Sequence, residues 1–167
     1  FLFHNLGKGR FEEVGLETGA SLPEGGRAIA SMGVDFRDLD DDGSPDLVVT
    51  GMINDSYLLF HNLGKPFWFE DATVSSGLAR ATRQLTGWGM GAFDFDNDGL
   101  KDLFFANSHF PQLGKLLGAP EPLPPMVLRN TGGLKFVGVP AGLTARSLYR
   151  GAAFADFDND GRVDVAV

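Results

Sequence analysis

The chain has 167 residues, of which 43% are hydrophobic, and it carries a formal net charge of −8. This length and apolar content suffice for a packed domain and argue against disorder. Because the sequence has no cysteine, no run of 18 apolar residues and no basic stripe, we expect no thiolate metal site, no membrane insertion in this segment and no nucleic-acid partner.

The negative charge is concentrated in three short windows. Thirteen of the 16 aspartates lie within residues 38–46, 94–102 and 156–164, which carry net charges of −5, −3 and −3. The rest of the chain therefore carries a net charge of +3. This distribution indicates three local sites and not a generally acidic surface.

The predicted elements repeat along the chain. Residues 1–20 contain the strand-like segment Phe3-His4-Asn5-Leu6-Gly7, which recurs as Phe60-His61-Asn62-Leu63-Gly64 and more loosely over 128–132. Each acidic window follows a glycine-rich apolar segment and precedes a short β-branched or aromatic run. One period therefore comprises a strand, an acidic loop, a strand, a link, a strand ending in Asn-x-Gly and a further strand, with no convincing helix.

Four antiparallel strands in every ~50 residues are typical of β-propeller blades. We predict an all-β fold, a partial β-propeller with two complete four-stranded blades and two half blades. Within the single unit 1–167, the predicted parts are the end of one blade at 1–20, complete blades at 27–80 and 86–142, and the start of the next at 148–167. Since a closed propeller has about four to eight blades, we expect a longer protein whose remaining blades are partners of this segment.

The second predicted blade is longer than the first. Asp46 and Asn62 are 16 residues apart, whereas Asp102 and Asn130 are 28 residues apart, and the difference falls in the proline-rich stretch 107–125. Such a stretch between strands predicts an exposed inserted loop. It is either a passive insertion or a surface that contacts a partner.

The acidic loops share one pattern, with aspartate at positions 1, 3, 5 and 9 and glycine at position 6. Four carboxylates in nine residues repel one another unless a cation lies among them. An all-oxygen donor set of this charge suits a hard cation, and the number of ligands favours calcium over magnesium. We predict up to three Ca²⁺ sites, with these carboxylate ligands: Asp38, Asp40, Asp42, Asp46, Asp94, Asp96, Asp98, Asp102, Asp156, Asp158, Asp160 and Asp164.

The acidic loops also resemble two other kinds of structure, the EF-hand and the acidic β-turn. An EF-hand requires a glutamate at position 12 and flanking helices, but position 12 is Val49, Phe105 and Val167. Acidic β-turns without a metal are possible for one loop, because aspartate, asparagine and glycine are common in turns. Three matches in phase with a repeat favour metal binding.

Four further side chains are predicted to have structural, surface or packing roles and not to bind a ligand. His4 and His61 occupy the same repeat position and are expected to be structural. His109 begins the insertion and is predicted to lie at the surface, with contact to a partner as the alternative role. Trp88, between glycines, is predicted to pack between blades.

The repeat resembles the FG-GAP or VCBS repeats of integrin-α-type propellers, whose hairpins carry an Asp-x-Asp-x-Asp-Gly-x-x-Asp loop. Segments 87–99, 106–109, 128–130 and 151–158 are similar to the bacterial ASPIC/UnbV proteins and the animal cartilage acidic proteins. The resemblance implies an integrin-like, seven-bladed propeller that is exported and binds calcium. It also implies a main-chain carbonyl ligand at position 7, here Ser44, Leu100 and Arg162.

The sequence and the resemblance together favour a non-catalytic function. We expect calcium to be structural in a secreted, periplasmic or cell-surface protein that acts in adhesion or binds a protein or glycan partner. The alternative is that the propeller is the scaffold of a larger secreted enzyme, such as a polysaccharide lyase or hydrolase.

Overall fold

The structure is a computed structural model that describes residues 1–64, 67–119 and 122–167. Lys65 and Pro66, within the predicted first complete blade, and Pro120 and Glu121, within the predicted insertion, lie outside the described residues. The described residues form short strands and three short helices. Their bounds, in chain order, are β1 Phe3–Gly7, β2 Arg10–Glu13, α1 Gly15–Thr18, β3 Val34–Arg37, β4 Asp46–Val49, β5 Leu58–Asn62, β6 Phe69–Asp71, α2 Leu78–Thr82, β7 Gly87–Phe93, β8 Asp102–Asn107, α3 Pro111–Leu117, β9 Met126–Asn130, β10 Phe136–Val139, β11 Ala153–Ala155 and β12 Asp164–Ala166.

The strands form two four-stranded sheets and two hairpins, all antiparallel. The first sheet has the order β3-β4-β5-β6 and the second has the order β7-β8-β9-β10. The first hairpin is β1–β2 and the last hairpin is β11–β12. The prediction of a β-rich fold with antiparallel sheets is confirmed, whereas the predicted segment boundaries and the propeller form stay predictions.

The two sheets share one register. In the first sheet Leu47, directly after an acidic loop, pairs with Phe60, and in the second sheet Leu103 pairs with Leu128. In both cases the second residue lies two positions before the asparagine of the Asn-x-Gly segment. The repeat seen in the sequence is therefore a repeat of strand pairing.

The largest hydrophobic core lies between the two sheets. Val48 and Leu59 of the first sheet are buried with Leu103, Phe105 and Leu128 of the second. Burial removes these apolar side chains from water. It contributes about 25 cal/mol of folding free energy for each Å² of apolar surface buried, which is the main favourable contribution to folding.

A second apolar cluster covers the opposite face of the first sheet. Leu47, Leu58 and Phe60 are buried there with Phe69, and Leu2, directly before the first hairpin, packs against them. Each sheet thus contacts the element before it through one face and the element after it through the other.

Two glycines allow β3, β7 and β11 to lie close together. A Cβ on Gly33 would overlap the carbonyl oxygen of Trp88, and a Cβ on Gly89 would overlap the backbone at Gly151 and Ala152. Both glycines lie five residues before an acidic loop. Any side chain at these positions would push neighbouring strands apart.

The structure corrects two expectations on the link segments. The sequence indicated no convincing helix, but α1, α2 and α3 span four, five and seven residues. Helices this short do not form on their own and depend on packing to the rest of the fold. Part of the insertion 107–125, predicted as an exposed loop, is helix α3.

The start of the insertion is buried, so the prediction of a surface His109 is wrong. Asn107, Ser108 and His109 are fully buried. The Tyr57 hydroxyl donates to Asn107 Oδ1 at 2.6 Å, and His109 Nδ1 lies 2.9 Å from Thr86 Oγ1. These polar contacts pair Asn107 Oδ1 and His109 Nδ1 and hold the start of the insertion against residues that adjoin both sheets.

Among the residues that the structure describes, no helix has the length and apolar character needed to cross a bilayer.

Candidate metal centres

Each acidic loop connects the first two strands of a sheet or hairpin, namely β3 to β4, β7 to β8 and β11 to β12. The residue at position 4 is left-handed in all three loops, with φ of 60°, 58° and 60° at Asp41, Asn97 and Asn159. Aspartate, asparagine and glycine tolerate this conformation better than other residues. The local sequence therefore fixes the same sharp reversal three times, as the pattern predicted.

The first aspartate of each loop organises the backbone of the turn. Asp38 accepts the N–H groups of Asp42 and Gly43 at 3.1 and 3.0 Å, one on each carboxylate oxygen. The corresponding pairs of distances are 3.0 and 2.9 Å at Asp94 and 3.0 and 2.8 Å at Asp156. Both oxygens are thereby held in place and retain lone pairs for a further ligand.

The aspartate at position 5 stabilises the turn through a hydrogen bond inside the loop. Its Oδ1 accepts the N–H of position 7 at 2.7 Å in the first loop and at 2.9 Å in the second and third. The residues at position 7 are Ser44, Leu100 and Arg162. Their predicted role as carbonyl ligands stays a prediction.

The aspartate at position 9 closes the loop. Oδ2 of Asp46 accepts the N–H of Leu39 at 3.0 Å, and Oδ2 of Asp164 accepts that of Phe157 at 2.9 Å. Oδ2 of Asp102 accepts the same bond from Phe95 at a longer 3.3 Å. The position-9 carboxylate therefore joins the beginning of each loop to its end.

The folded loops bring three of their four aspartates together. Positions 1, 3 and 9 of every loop can place one carboxylate oxygen each within 4.8 Å of the other two. The three groups are Asp38, Asp40 and Asp46; Asp94, Asp96 and Asp102; and Asp156, Asp158 and Asp164. Of the position-5 aspartates, only Asp42 falls in such a group, with Asp40 and His61.

The carboxylates perturb one another where they are partly buried. Burial raises the pKa of Asp40, and the neighbouring carboxylates of Asp46 and Asp42 raise it further. Burial also raises the pKa of Asp102, against the lowering effect of the N–H groups of Asn130 and Phe95. Ionised carboxylates so close together disfavour one another, and a bound cation would reverse that effect.

One oxygen of the first loop supports the fit of a cation. Oδ1 of Asp40 is buried and accepts no hydrogen bond from the described residues. A buried acceptor without a partner is unusual in a folded protein and is costly. A hard cation held by Asp38, Asp40 and Asp46 would satisfy that oxygen, so the residues present fit a divalent ion with oxygen ligands.

Sequence reasoning missed two side chains that lie on the loops. Nδ1 of His61 lies 2.9 Å from Asp46 Oδ1 and 3.7 Å from Asp40 Oδ2. Arg129 Nε lies 3.1 Å from Asp96 Oδ2, and its Nη2 lies 3.3 Å from Asp98 Oδ2. His61 and Arg129 both directly precede the asparagine of Asn-x-Gly, so the aligned repeat contained the signal.

The asparagines that follow them anchor the next strand to the loop. The backbone N–H of Asn62 donates to Asp46 Oδ1 at 2.9 Å, and that of Asn130 donates to Asp102 Oδ1 at 2.8 Å. Asn130 Nδ2 also donates to the carbonyl of Lys101, and Nζ of Lys101 pairs with Asp41 of the first loop at 2.9 Å. The loops are thus tied to each other and to β5 and β9.

The remaining aromatic candidates have packing contacts. Trp88 Nε1 donates to the carbonyl of Ser108 at 2.7 Å, and the Arg150 guanidinium lies 4.1 Å from the centre of its ring. The His4 ring lies 5.4 Å from that of Phe67.

Comparison with known proteins bears on this site. Residues 38–105 match the family model described as an FG-GAP-like repeat. No curated protein matches the chain. The matched segment covers β4, β5 and β6 of the first sheet, the first and second acidic loops, β7 and most of β8. Residues 38–105 are therefore similar to an FG-GAP-like repeat.

Proposed function

We propose that this chain is a calcium-binding module of FG-GAP repeats in an exported protein, in which the cation is structural. The observation that carries the proposal is the recurrence of one loop. The hydrogen bonds that the aspartates at positions 1, 5 and 9 accept from backbone N–H groups, and the group of three carboxylates, recur in all three copies. A turn that served only to reverse the chain would not need this donor set three times.

Calcium is favoured over other cations by the chemistry of the donors. In each loop the ligands are carboxylate oxygens, which suit hard cations, and a nine-residue loop can supply main-chain oxygen in addition. Magnesium prefers a strict octahedron with several waters, whereas calcium accepts six to eight oxygens in a flexible arrangement. Position-7 carbonyls at Ser44, Leu100 and Arg162 would complete such a set.

The residues of this chain show how a bound cation would stabilise the sheets. The position-9 aspartates of the first two loops accept N–H groups both within the loop and from the third strand of the sheet, as Asp102 does from Phe95 and Asn130. Fixing the ionised state of Asp102 therefore fixes the loop and β9 together. Calcium would supply the positive charge that offsets the clustered carboxylates.

Export follows from the affinity expected of such loops. Extracellular calcium modules bind with Kd values of about 10⁻⁴–10⁻³ M. Sites of this kind are filled at the millimolar calcium outside cells and are empty in the cytosol. We therefore place the protein in a secreted, periplasmic or cell-surface location.

The wider arrangement is inferred from the resemblance and from the sheets. We propose that the two four-stranded antiparallel sheets, which pack against each other, are blades of a seven-bladed propeller of the ASPIC/UnbV and cartilage acidic protein type. The role is non-catalytic. The module would present its links and the insertion to a protein or glycan partner, in adhesion or recognition.

Thermal unfolding tests the proposal. The chain is melted in EDTA, in 10 mM CaCl₂ and in 10 mM MgCl₂. At Kd values of about 10⁻⁴–10⁻³ M, 10 mM calcium stabilises the native state by about 1.4–2.7 kcal/mol per occupied loop. For a domain of this size each loop then raises the Tm by about 3–11 °C. The same Tm in all three solutions would reject the proposal.

A further inference from the structure

We propose that the residue directly before the asparagine of Asn-x-Gly sets the calcium affinity of the acidic loop beside it, and that Arg129 makes the second loop a weaker calcium site than the first. The same position beside the first loop is His61. The inference deepens the proposed function and rests on it, because it concerns the affinity of those calcium sites. Every contact that carries it lies within the two four-stranded sheets and their acidic loops.

Strand register directs this position at the loop in both sheets. The second strand of each sheet begins with the position-9 aspartate, and the third strand ends with the asparagine of Asn-x-Gly. Extending the pairing of these strands by one residue places Asp46 opposite His61 and Asp102 opposite Arg129. Opposed residues of an antiparallel pair project their side chains to the same face of the sheet. The backbone therefore holds His61 and Arg129 beside the carboxylates in the same way.

The two side chains contact different members of the ligand set. His61 Nδ1 lies 2.9 Å from Oδ1 of Asp46, at position 9, and 3.7 Å from Oδ2 of Asp40, at position 3. The Arg129 guanidinium lies 3.1 Å from the position-3 carboxylate of the second loop and 3.3 Å from its position-5 carboxylate. Arg129 therefore pairs with two of the four carboxylates proposed to bind calcium in that loop.

Arginine and histidine differ in what they offer a metal ion. A guanidinium has five N–H donors, no acceptor and a permanent positive charge, so it cannot bind a metal ion and repels one. An imidazole has a ring nitrogen that can bind a metal ion as a neutral ligand. Arg129 therefore competes with calcium for Asp96 and Asp98, whereas His61 adds no permanent charge to the first loop.

Coulomb's law gives the size of the effect. Even at the dielectric constant of water, a fixed positive charge about 4 Å from a divalent ion weakens its binding by about tenfold. A second cation of the second loop, Lys101, lies 2.9 Å from Asp41, which is at position 4 and outside the proposed ligand set. The net charges of the first and second loops, −5 and −3, favour the same order of affinity.

The difference gives the chain two calcium thresholds. As the calcium concentration rises, the first loop fills first and stabilises the first sheet. The second loop fills at about tenfold higher calcium, because Arg129 must release Asp96 and Asp98. Below that concentration the ion pairs of Arg129 hold β9 to the second loop. The second sheet therefore depends less on calcium than the first.

Isothermal titration calorimetry on chains that keep one loop for calcium tests the inference. Asp40→Asn with Asp158→Asn keeps the second loop, and Asp96→Asn with Asp158→Asn keeps the first. Arg129→Gln is added to the chain that keeps the second loop, and His61→Arg is added to the chain that keeps the first. The Kd for calcium of each variant is compared with that of its parent.

Lys101→Gln in the chain that keeps the second loop is the matched control, because it removes one positive charge from that loop without losing a contact to a proposed ligand. Arg129→Gln is expected to bind calcium about tenfold more tightly than its parent, His61→Arg about tenfold more weakly, and Lys101→Gln within about threefold of its parent. In 1 M NaCl the effect of Arg129→Gln should shrink, since salt screens a charge interaction and leaves a purely structural effect unchanged.

An unchanged Kd in Arg129→Gln, or an equal change in Lys101→Gln, would overturn the inference. Circular dichroism in EDTA shows whether each variant is folded. If Arg129→Gln does not fold, His61→Arg decides, because it leaves every contact of the second loop in place. If the parents bind calcium and the substitutions have no effect, only this inference fails. If neither parent binds calcium, the proposed function fails with it.

Discussion

Asn130 Nδ2 donates a hydrogen bond to the backbone carbonyl of Leu39 at 2.9 Å, although 91 positions separate the two residues. Leu39 occupies position 2 of the first acidic loop, and Asn130 ends the third strand of the second sheet. Both residues are buried. The bond therefore couples the first candidate metal centre to the neighbouring sheet.

Replacing Asn130 by alanine tests the energy of this coupling, with Asn62→Ala as the matched control. Each asparagine accepts the N–H of the glycine two positions on and donates to the position-8 carbonyl, but only Asn130 also donates to Leu39. We expect Asn130→Ala to lose about 1 kcal/mol more than Asn62→Ala in denaturant unfolding. Equal losses would show that the bond between the sheets contributes nothing.

Replacing Asp40 by asparagine is expected to stabilise the metal-free protein. The folded-state pKa of Asp40 is raised above its ordinary value of 3.8. Since ionisation is harder in the folded state, the wild type loses stability as the pH rises through the raised pKa. In EDTA, Asp40→Asn should have a higher Tm than the wild type at pH 7, and the difference should vanish below pH 3.8.

Calcium should reverse the order of the two Tm values, so that the wild type becomes more stable than Asp40→Asn. Asp40→Asn removes one ligand of the first loop, so its Tm should rise less than that of the wild type in 10 mM CaCl₂. The control is Asp41→Asn, which gives the first loop the residue found at position 4 of the other two loops. It should respond to calcium as the wild type does. A full calcium response in Asp40→Asn would remove Asp40 from the ligand set.

Asp102 is expected to have a structural role that is independent of metal. Asp102→Ala leaves the N–H groups of Phe95 and Asn130 without their acceptor, and the second of these is buried. At about 1–3 kcal/mol for an unsatisfied buried group, we expect a loss of about 1–3 kcal/mol in EDTA. Asp98→Ala loses the exposed bond that Asp98 accepts from the N–H of Leu100 and the exposed ion pair with Arg129. It should lose less than about 1 kcal/mol in EDTA and should still lose calcium binding at the second loop. If Asp102→Ala and Asp98→Ala lost similar free energies of unfolding in EDTA, Asp102 would have no structural role beyond that of Asp98.

Gly33→Ala should disrupt the contact between β3 and β7, because the added Cβ overlaps the Trp88 carbonyl. Relief requires the strands to move apart, and we expect a loss of about 1–3 kcal/mol or more. Gly138→Ala is the control, since a Cβ at this strand glycine meets only Leu128 Cδ2 at 3.8 Å. Equal midpoints of urea unfolding for the two variants would show that close approach at Gly33 is not required.

The sequence was sufficient to predict the strands and the loops because both depend on local patterns. Aspartates at fixed spacing and a glycine in each loop predicted the reversal at Asp38–Asp46, and the repeat predicted strand order. The sequence did not predict the contacts between separate strands and loops. That His61 and Arg129 lie on the carboxylates follows only from strand register, which no single segment encodes.

The insertion shows the same limit. Proline and glycine in 107–125 indicated an exposed loop, but His109 is buried because Thr86 and the rest of the fold supply polar contacts there. Helix α3 is too short to be stable by itself and could not be predicted from periodicity. Burial of a link depends on what packs against it, and that is a property of the whole chain.

Equilibrium dialysis against radiolabelled calcium tests the central claim most directly. The wild type should bind close to three calcium ions per chain, one for each loop, and excess magnesium should not displace them. A variant with Asp40→Asn, Asp96→Asn and Asp158→Asn, each at position 3 of a loop, should bind none while remaining folded by circular dichroism. If the folded wild type binds no more calcium than this variant, the acidic loops are turns and the account is wrong.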